Sequence, residues 1–141
     1  MSMSQRSSST QALAVRRLSP SECRRWLDNH QEGRLAYGSG RGPRSVVVSY
    51  TVAEEQIVVR LPDYHEIVHY APGAVVTFEV EDLTGTVPGL ETVSVSGTAA
   101  LVCGDERLTD VSFVESWPAG VSTSVVRLPM TAVEGYGRAD R

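Results

Sequence analysis

His65-Glu66-Ile67-Val68-His69 is a literal H-E-x-x-H. In that pattern two histidines four residues apart share one face of a helix and hold a zinc ion, while the glutamate polarises its bound water. The same stretch has a second reading. Arg60 closes the apolar run Ile57-Val58-Val59, and a helix predicted to start at Asp63 would offer free backbone N–H groups and a partial positive charge to a phosphate. The zinc reading asks for more than the chain supplies. Between Asp63 and Ala71-Pro72-Gly73 there is room for about two helical turns. A catalytic zinc also needs a third protein ligand, and the remaining histidine, His30, falls at the end of a different predicted helix. No stoichiometric zinc is therefore expected. Tyr50, His65, Glu66 and His69 stand as general acid/base candidates, since imidazole titrates near neutral pH.

Composition narrows the classes. A chain of 141 residues, 41% hydrophobic and 21% charged, suits one soluble domain built on one core. The predicted boundaries are a disordered, serine-rich tail over 1–15 and a domain over 16–137. Net charge of −4 and scattered cations exclude a nucleic-acid binder. All 13 basic side chains are arginine, which fits a GC-rich bacterial coding sequence. Cys23 and Cys103 match no metal or redox spacing and read as small apolar residues in a reducing cytoplasm. No apolar run reaches the ~20 residues that cross a membrane, and the N-terminus lacks the apolar segment of a secretory signal.

The elements that must position these residues are mainly β. Ser19-Pro20-Ser21-Glu22 is a capping box with proline at the first helical position. Cys23, Trp26 and Leu27 then make one narrow apolar face, and Gly33 is predicted to stop the helix. Strands are predicted at Arg34–Tyr37, at Arg44–Val52 (with Val46-Val47-Val48 buried on both faces) and at Gln56–Arg60. Further strands follow at Ala74–Val80, at Thr92–Val102 with a kink at Gly97, and at Ser124–Leu128, which Thr131–Tyr136 could extend. A helix over 63–71 lies between the third and fourth. Between the fourth and fifth, Glu81 to Glu91 reads as a solvated acidic loop. Short strands at regular spacing predict a small six-stranded barrel, which removes exposed sheet edges.

This order of elements resembles the flavin-binding split barrels of the pyridoxamine 5'-phosphate oxidase-like group, in particular small bacterial members. The landmarks are Gly33-Arg34-Leu35-Ala36, Val48-Ser49-Tyr50, Ile57-Val58-Val59-Arg60, Phe78-Glu79-Val80, Val93-Ser94-Val95-Ser96-Gly97, Trp117-Pro118-Ala119-Gly120 and Val125-Val126-Arg127-Leu128. The resemblance implies a six-stranded split barrel with two short helices, a homodimer, and a cofactor in two equivalent clefts between subunits. It places Val48, Ser49 and Tyr50 beside the flavin ring and Arg60 on the flavin phosphate, where a guanidinium fork suits the phosphate oxygens. Arg60 could equally cap a sheet end or pair with Glu79 or Glu81. Trp117 covers a ligand or staples the C-terminal strand.

The site motifs depart from the group. Relatives commonly follow the arginine with threonine and then a Gly-Ser-Lys triplet; here those positions are Leu61 and Tyr64-His65-Glu66. Their Gly-Trp-Ser-Val is Leu90-Glu91-Thr92-Val93, which puts Thr92 at a ring contact. An aliphatic side chain for a hydroxyl and a glutamate for a lysine weaken a phosphate site. The expectation is an FMN- or deazaflavin-dependent oxidoreductase acting on a small molecule, with FMN bound weakly or not at all. The alternative is a flavin-free barrel that rearranges a small biosynthetic intermediate by acid/base chemistry.

Overall fold

The structure, a computed structural model, describes residues 15–82, 91–102 and 120–139. Along the chain these form β1 (Val15–Arg17), α1 (Pro20–Asp28), β2 (Glu32–Ser39), β3 (Gly42–Ser49), β4 (Thr51–Ala53) and β5 (Gln56–Pro62). They continue with α2 (Ile67–Tyr70), β6 (Val75–Glu81), β7 (Thr92–Thr98), β8 (Ala100–Leu101), β9 (Thr123–Pro129) and β10 (Ala132–Arg138). Trp117, Cys103 and most of the acidic loop lie outside the described residues.

Two antiparallel sheets result, ordered β1-β10-β7-β6-β2-β3 and β4-β5-β9-β8, the architecture of a split barrel. Alternation decides what faces inward. Gly33, Leu35 and Tyr37 of β2 are buried while Glu32, Arg34 and Ala36 are exposed; Val76, Phe78 and Val80 of β6 are buried while Val75 and Glu79 are exposed. Ile57, Val59 and Leu61 of β5 and Val126 and Leu128 of β9 meet them from the smaller sheet.

The chain changes sheet at single residues. Tyr50 alone separates β3 from β4, and Ala99 alone separates β7 from β8; both are almost fully buried. The long strands expected over Arg44–Val52 and Thr92–Val102 are thus two strands each, and the break expected at Gly97 falls at Ala99. A hydrophobic run stays apolar through a corner of the core, so the sequence conceals the turn. Thr131–Tyr136 likewise does not extend β9. After a turn at Met130–Thr131 it becomes β10, which pairs with β1 and β7 in the other sheet.

The N-terminal helix begins as its sequence predicts. The Ser19 hydroxyl accepts the Glu22 N–H at 3.2 Å, and Glu22 Oε1 accepts the Ser19 N–H at 2.9 Å. Cys23 and Leu27 are buried, and the Trp26 indole donates to the Val80 carbonyl at 3.1 Å. Burial pushes the Cys23 thiol pKa up, as for an inert core sulfur. The helix ends at Asp28 with Asn29 as its C-cap, well before Gly33. Gly33 serves packing instead: a Cβ there would stand 2.3 Å from the Phe78 ring and 2.8 Å from the Glu79 carbonyl oxygen. Only glycine lets β2 approach β6 so closely.

Two further features bear on the site. β3 is an edge strand, and Val47 is 55% exposed, so Val46-Val47-Val48 is not buried on both faces within this chain. The β4–β5 hairpin turns through Glu54 and Glu55 at φ 53° and 59°, the left-handed geometry of a primed two-residue turn. It is held by an Arg24–Glu55 ion pair of 2.5 Å and by the Met130 N–H, which donates to the Glu55 carbonyl at 3.0 Å. Among the described residues no helix is long and apolar enough to cross a membrane.

Candidate functional site

The H-E-x-x-H stretch does not form one helix face. Pro62 to Glu66 is a turn, with the His65 N–H donating to the Pro62 carbonyl at 3.0 Å, and α2 begins only at Ile67. Asp63, expected to cap the helix, is exposed and takes a hydrogen bond from the Ser124 hydroxyl. Glu66 occupies the N-cap position without a side-chain cap. His65 therefore precedes the helix while His69 lies within it, exposed, its ring edge-on to Tyr70 with centroids 5.0 Å apart. Among the described residues no three His, Cys, Asp or Glu side chains gather to hold a metal. The N–H groups of Ile67, Val68, His69 and Tyr70 are all donated locally, to His65 Nδ1, the His65 carbonyl and the Glu66 carbonyl, which leaves none of them for a phosphate.

What this turn does build is the wall of a cleft. An open cavity of about 520 Å³ is lined by Tyr37, Arg44, Ser45 and Val46 from the β2–β3 hairpin and by Tyr64, His65 and Glu66 from the turn. Tyr37 and Arg44 are direct cross-strand partners, which places both at the turn end of that hairpin. Arg44 Nη1 reaches Glu66 Oε1 at 3.2 Å, and both side chains are partly exposed. Burial, then the Glu66 carboxylate close by, raises the Tyr37 phenol pKa, so Tyr37 is a hydrogen-bond donor at neutral pH. His65 Nδ1 accepts the Ile67 N–H at 3.1 Å. A neutral ring held this way carries its proton on Nε2, which remains a donor for a ligand. Tyr64, 82% exposed, stands at the rim.

The other residues singled out from the sequence are spread over three places. Tyr50, Val48 and Leu61 belong to the core. The Tyr50 hydroxyl donates to the Leu27 carbonyl at 2.6 Å, and its ring meets Phe78 edge-on at 4.8 Å. Burial, with a smaller contribution from Asp28, pushes its pKa up, and nothing in that setting takes a proton from it. Ser49 is half-buried at the end of β3, and the Thr92 hydroxyl donates to the Val80 carbonyl at 3.3 Å. Arg60 does not line the cleft. It points to the face of β5 opposite Ile57, Val59 and Leu61. Arg127 is its diagonal neighbour there, because Arg60 pairs with Val125 and Val58 with Arg127.

The sequence brings forward His65 and Glu66 but misses Arg44, Tyr37 and Val46 as their companions. Strand register joins Tyr37 to Arg44, and packing of the turn against the hairpin joins both to Glu66, although Arg44-Ser45-Val46 does stand at the head of the valine run.

Comparison with known proteins follows the same fold. The "FAD binding protein" of Mycobacterium smegmatis superposes with a TM-score of 0.70 at 23% identity, over 87% of this chain and 98% of that one. A conserved protein of unknown function from Corynebacterium diphtheriae gives 0.73 at 19%, over 89% and 98%. A FAD-binding protein of Mesorhizobium loti gives 0.64 at 20%, over 86% and 96%. No curated protein matches the chain. A family profile described as pyridoxamine 5'-phosphate oxidase matches residues 19–136, from the helix cap to the last strand. With that match covering nearly every described element, the chain belongs to the pyridoxamine 5'-phosphate oxidase family.

Proposed function

We propose that this protein binds a flavin in the Tyr37–Glu66 cleft and acts as an oxidoreductase on a small molecule brought beside it. The observation that carries the reading is the cleft itself. Its volume of about 520 Å³ lies within the roughly 300–1,000 Å³ of small-molecule sites, and it opens beside an edge strand. Two structural neighbours described as FAD-binding support a flavin in general.

The residues present fit part of such a cofactor. Val46 offers an aliphatic wall to a planar ring, Tyr64 an aromatic one, and His65 Nε2 and the Tyr37 hydroxyl are donors for ring or ribityl oxygens. A bound flavin would supply hydride transfer, and the chain would supply orientation and electrostatics. FMN, whose phosphate needs a cation, fits less well, because the cleft's arginine is already paired with Glu66. A deazaflavin would meet the same ring wall.

Assembly as a homodimer belongs to this reading. Val47 on the exposed edge strand, on the face of β3 turned away from the cleft, gives a second copy an apolar contact. The flavin-free alternative keeps one specific support, the charge-balanced cleft with the His65 imidazole in its wall.

The test is direct. Protein purified without added cofactor, or titrated with free flavin, is expected to show a bound-flavin visible spectrum with quenched flavin fluorescence, and to scatter light as a dimer. Colourless protein that leaves flavin fluorescence unchanged throughout a titration would overturn the flavin reading in favour of the flavin-free one.

A further inference from the structure

Resting on the flavin reading above, we propose that Glu66 is a built-in counter-anion that makes the cleft reject a terminal phosphate monoester. The flavin it selects is one whose ribityl chain ends in a neutral hydroxyl.

Among the described residues that line the cleft, Arg44 is the one full cation and Glu66 the one full anion. They are joined at 3.2 Å, so one arm of the guanidinium fork is already occupied. A phosphate monoester carries about 1.5 to 2 negative charges at neutral pH and binds arginine best through both arms. To reach Arg44 it must displace Glu66 or lie beside a carboxylate of the same sign. The backbone that carries Glu66 is fixed at the cleft wall, because its carbonyl accepts the N–H groups of His69 at 2.9 Å and Tyr70 at 3.0 Å, so the carboxylate stays within reach of the cleft. Tyr37 also hydrogen-bonds the same carboxylate. His65 Nδ1 is engaged locally, accepting the Ile67 N–H.

A polyol meets none of these costs. Its hydroxyls can donate to the remaining carboxylate lone pairs and accept from His65 Nε2, so the ion pair stays intact and becomes part of the ligand's hydrogen-bonding surface. Arg60 and Arg127 stand on the smaller sheet and do not line this cavity, which leaves the balance to Arg44 and Glu66.

The experiment compares dissociation constants of riboflavin and FMN, by flavin fluorescence at fixed low ionic strength, for the full-length wild type, Glu66→Gln and Arg44→Gln. The wild type is expected to bind riboflavin at least tenfold more tightly than FMN. Glu66→Gln should shift the ratio at least tenfold toward FMN, and Arg44→Gln should shift it further toward riboflavin. Circular dichroism confirms that each variant is folded. An FMN preference in the wild type, or a ratio that Glu66→Gln leaves unmoved while both flavins bind, overturns the proposal and leaves flavin binding standing. An FMN preference abolished by Arg60→Ala but insensitive to Glu66→Gln overturns it too, by moving the phosphate to the smaller sheet. Failure of every flavin to bind overturns both readings together.

Discussion

Tyr37 and Tyr50 stand at opposite ends of the β2–β3 hairpin and are almost equally buried, at 6% and 4% exposure. Tyr37 is paired across the turn end with Arg44; Tyr50 follows the open end, where its N–H donates to the Gln31 carbonyl at 3.0 Å. Desolvation raises the pKa of both phenols. Their hydroxyls nevertheless serve different ends. That of Tyr50 donates to a backbone carbonyl inside the core and closes the corner where the chain changes sheet. The phenol of Tyr37 lines a cleft, next to a carboxylate that is itself paired with an arginine. Burial alone thus does not separate a structural tyrosine from a functional one; the chemistry of the hydrogen-bond partner and access to solvent do.

Substitutions at the sealed corner should cost stability and leave ligand selectivity alone. The largest effect is expected for Phe78→Ala, which removes the ring that meets Tyr50 and covers Gly33. Truncating a fully buried phenylalanine costs roughly 3–5 kcal/mol. Urea denaturation should show the midpoint falling accordingly, and a loss below about 1 kcal/mol would mean that the corner is not a packed seam.

A matched pair sharpens the contrast. Tyr50→Phe strands the Leu27 carbonyl in the core and should cost about 1–3 kcal/mol, whereas Tyr37→Phe, beside an open cleft that water can enter, should cost less than about 1 kcal/mol. The order should reverse when flavin affinity is measured, with Tyr37→Phe the more harmful. Equal stability losses would erase the distinction drawn between the two ends.

The smallest effect lies outside both regions, at the cap of α1. The Arg16 guanidinium first, then the Ser19 N–H, hold the Glu22 carboxyl down at about 2, against an ordinary 4.5. Because the folded-state pKa is depressed, the associated stability is present above about pH 4.5 and is lost as pH falls through about 2. Acid titration of wild type and Glu22→Gln should show the variant losing less stability across that window. Identical acid profiles would mean that this partly exposed pair contributes nothing measurable.

Local chemistry was the legible part of this molecule. The capping box at Ser19, the alternating strands and the family's order of elements could all be read directly, because each depends on neighbours a few residues apart. The corners at Tyr50 and Ala99 were hidden within uniformly apolar runs, since a buried turn needs no polar punctuation when its backbone bonds are met in the core. Gly33 was misread because glycine after a helix commonly ends it, and only the register with Phe78 reveals its real task. At the site, His65 and Glu66 stood out through a motif whose helix starts too late to unite them. Arg44 gave no local signal: strand register brings it Tyr37, and the packing of the turn after β5 against the β2–β3 hairpin brings it Glu66.

The Glu54–Glu55 turn sets an order of assembly. Two consecutive non-glycine residues in left-handed backbone together cost on the order of 2–4 kcal/mol. The contacts that hold them come from elsewhere in the chain, from Arg24 on α1 and from the Met130 N–H between β9 and β10. A hairpin whose turn resists forming alone is a poor nucleus, so β4 and β5 should join late, once α1 and the β9–β10 turn are in place. Read in reverse, this is where the smaller sheet should first open: native-state hydrogen exchange should find the β4–β5 ladder less protected than β6–β7, and an Asn-Gly turn at positions 54 and 55 should close that gap.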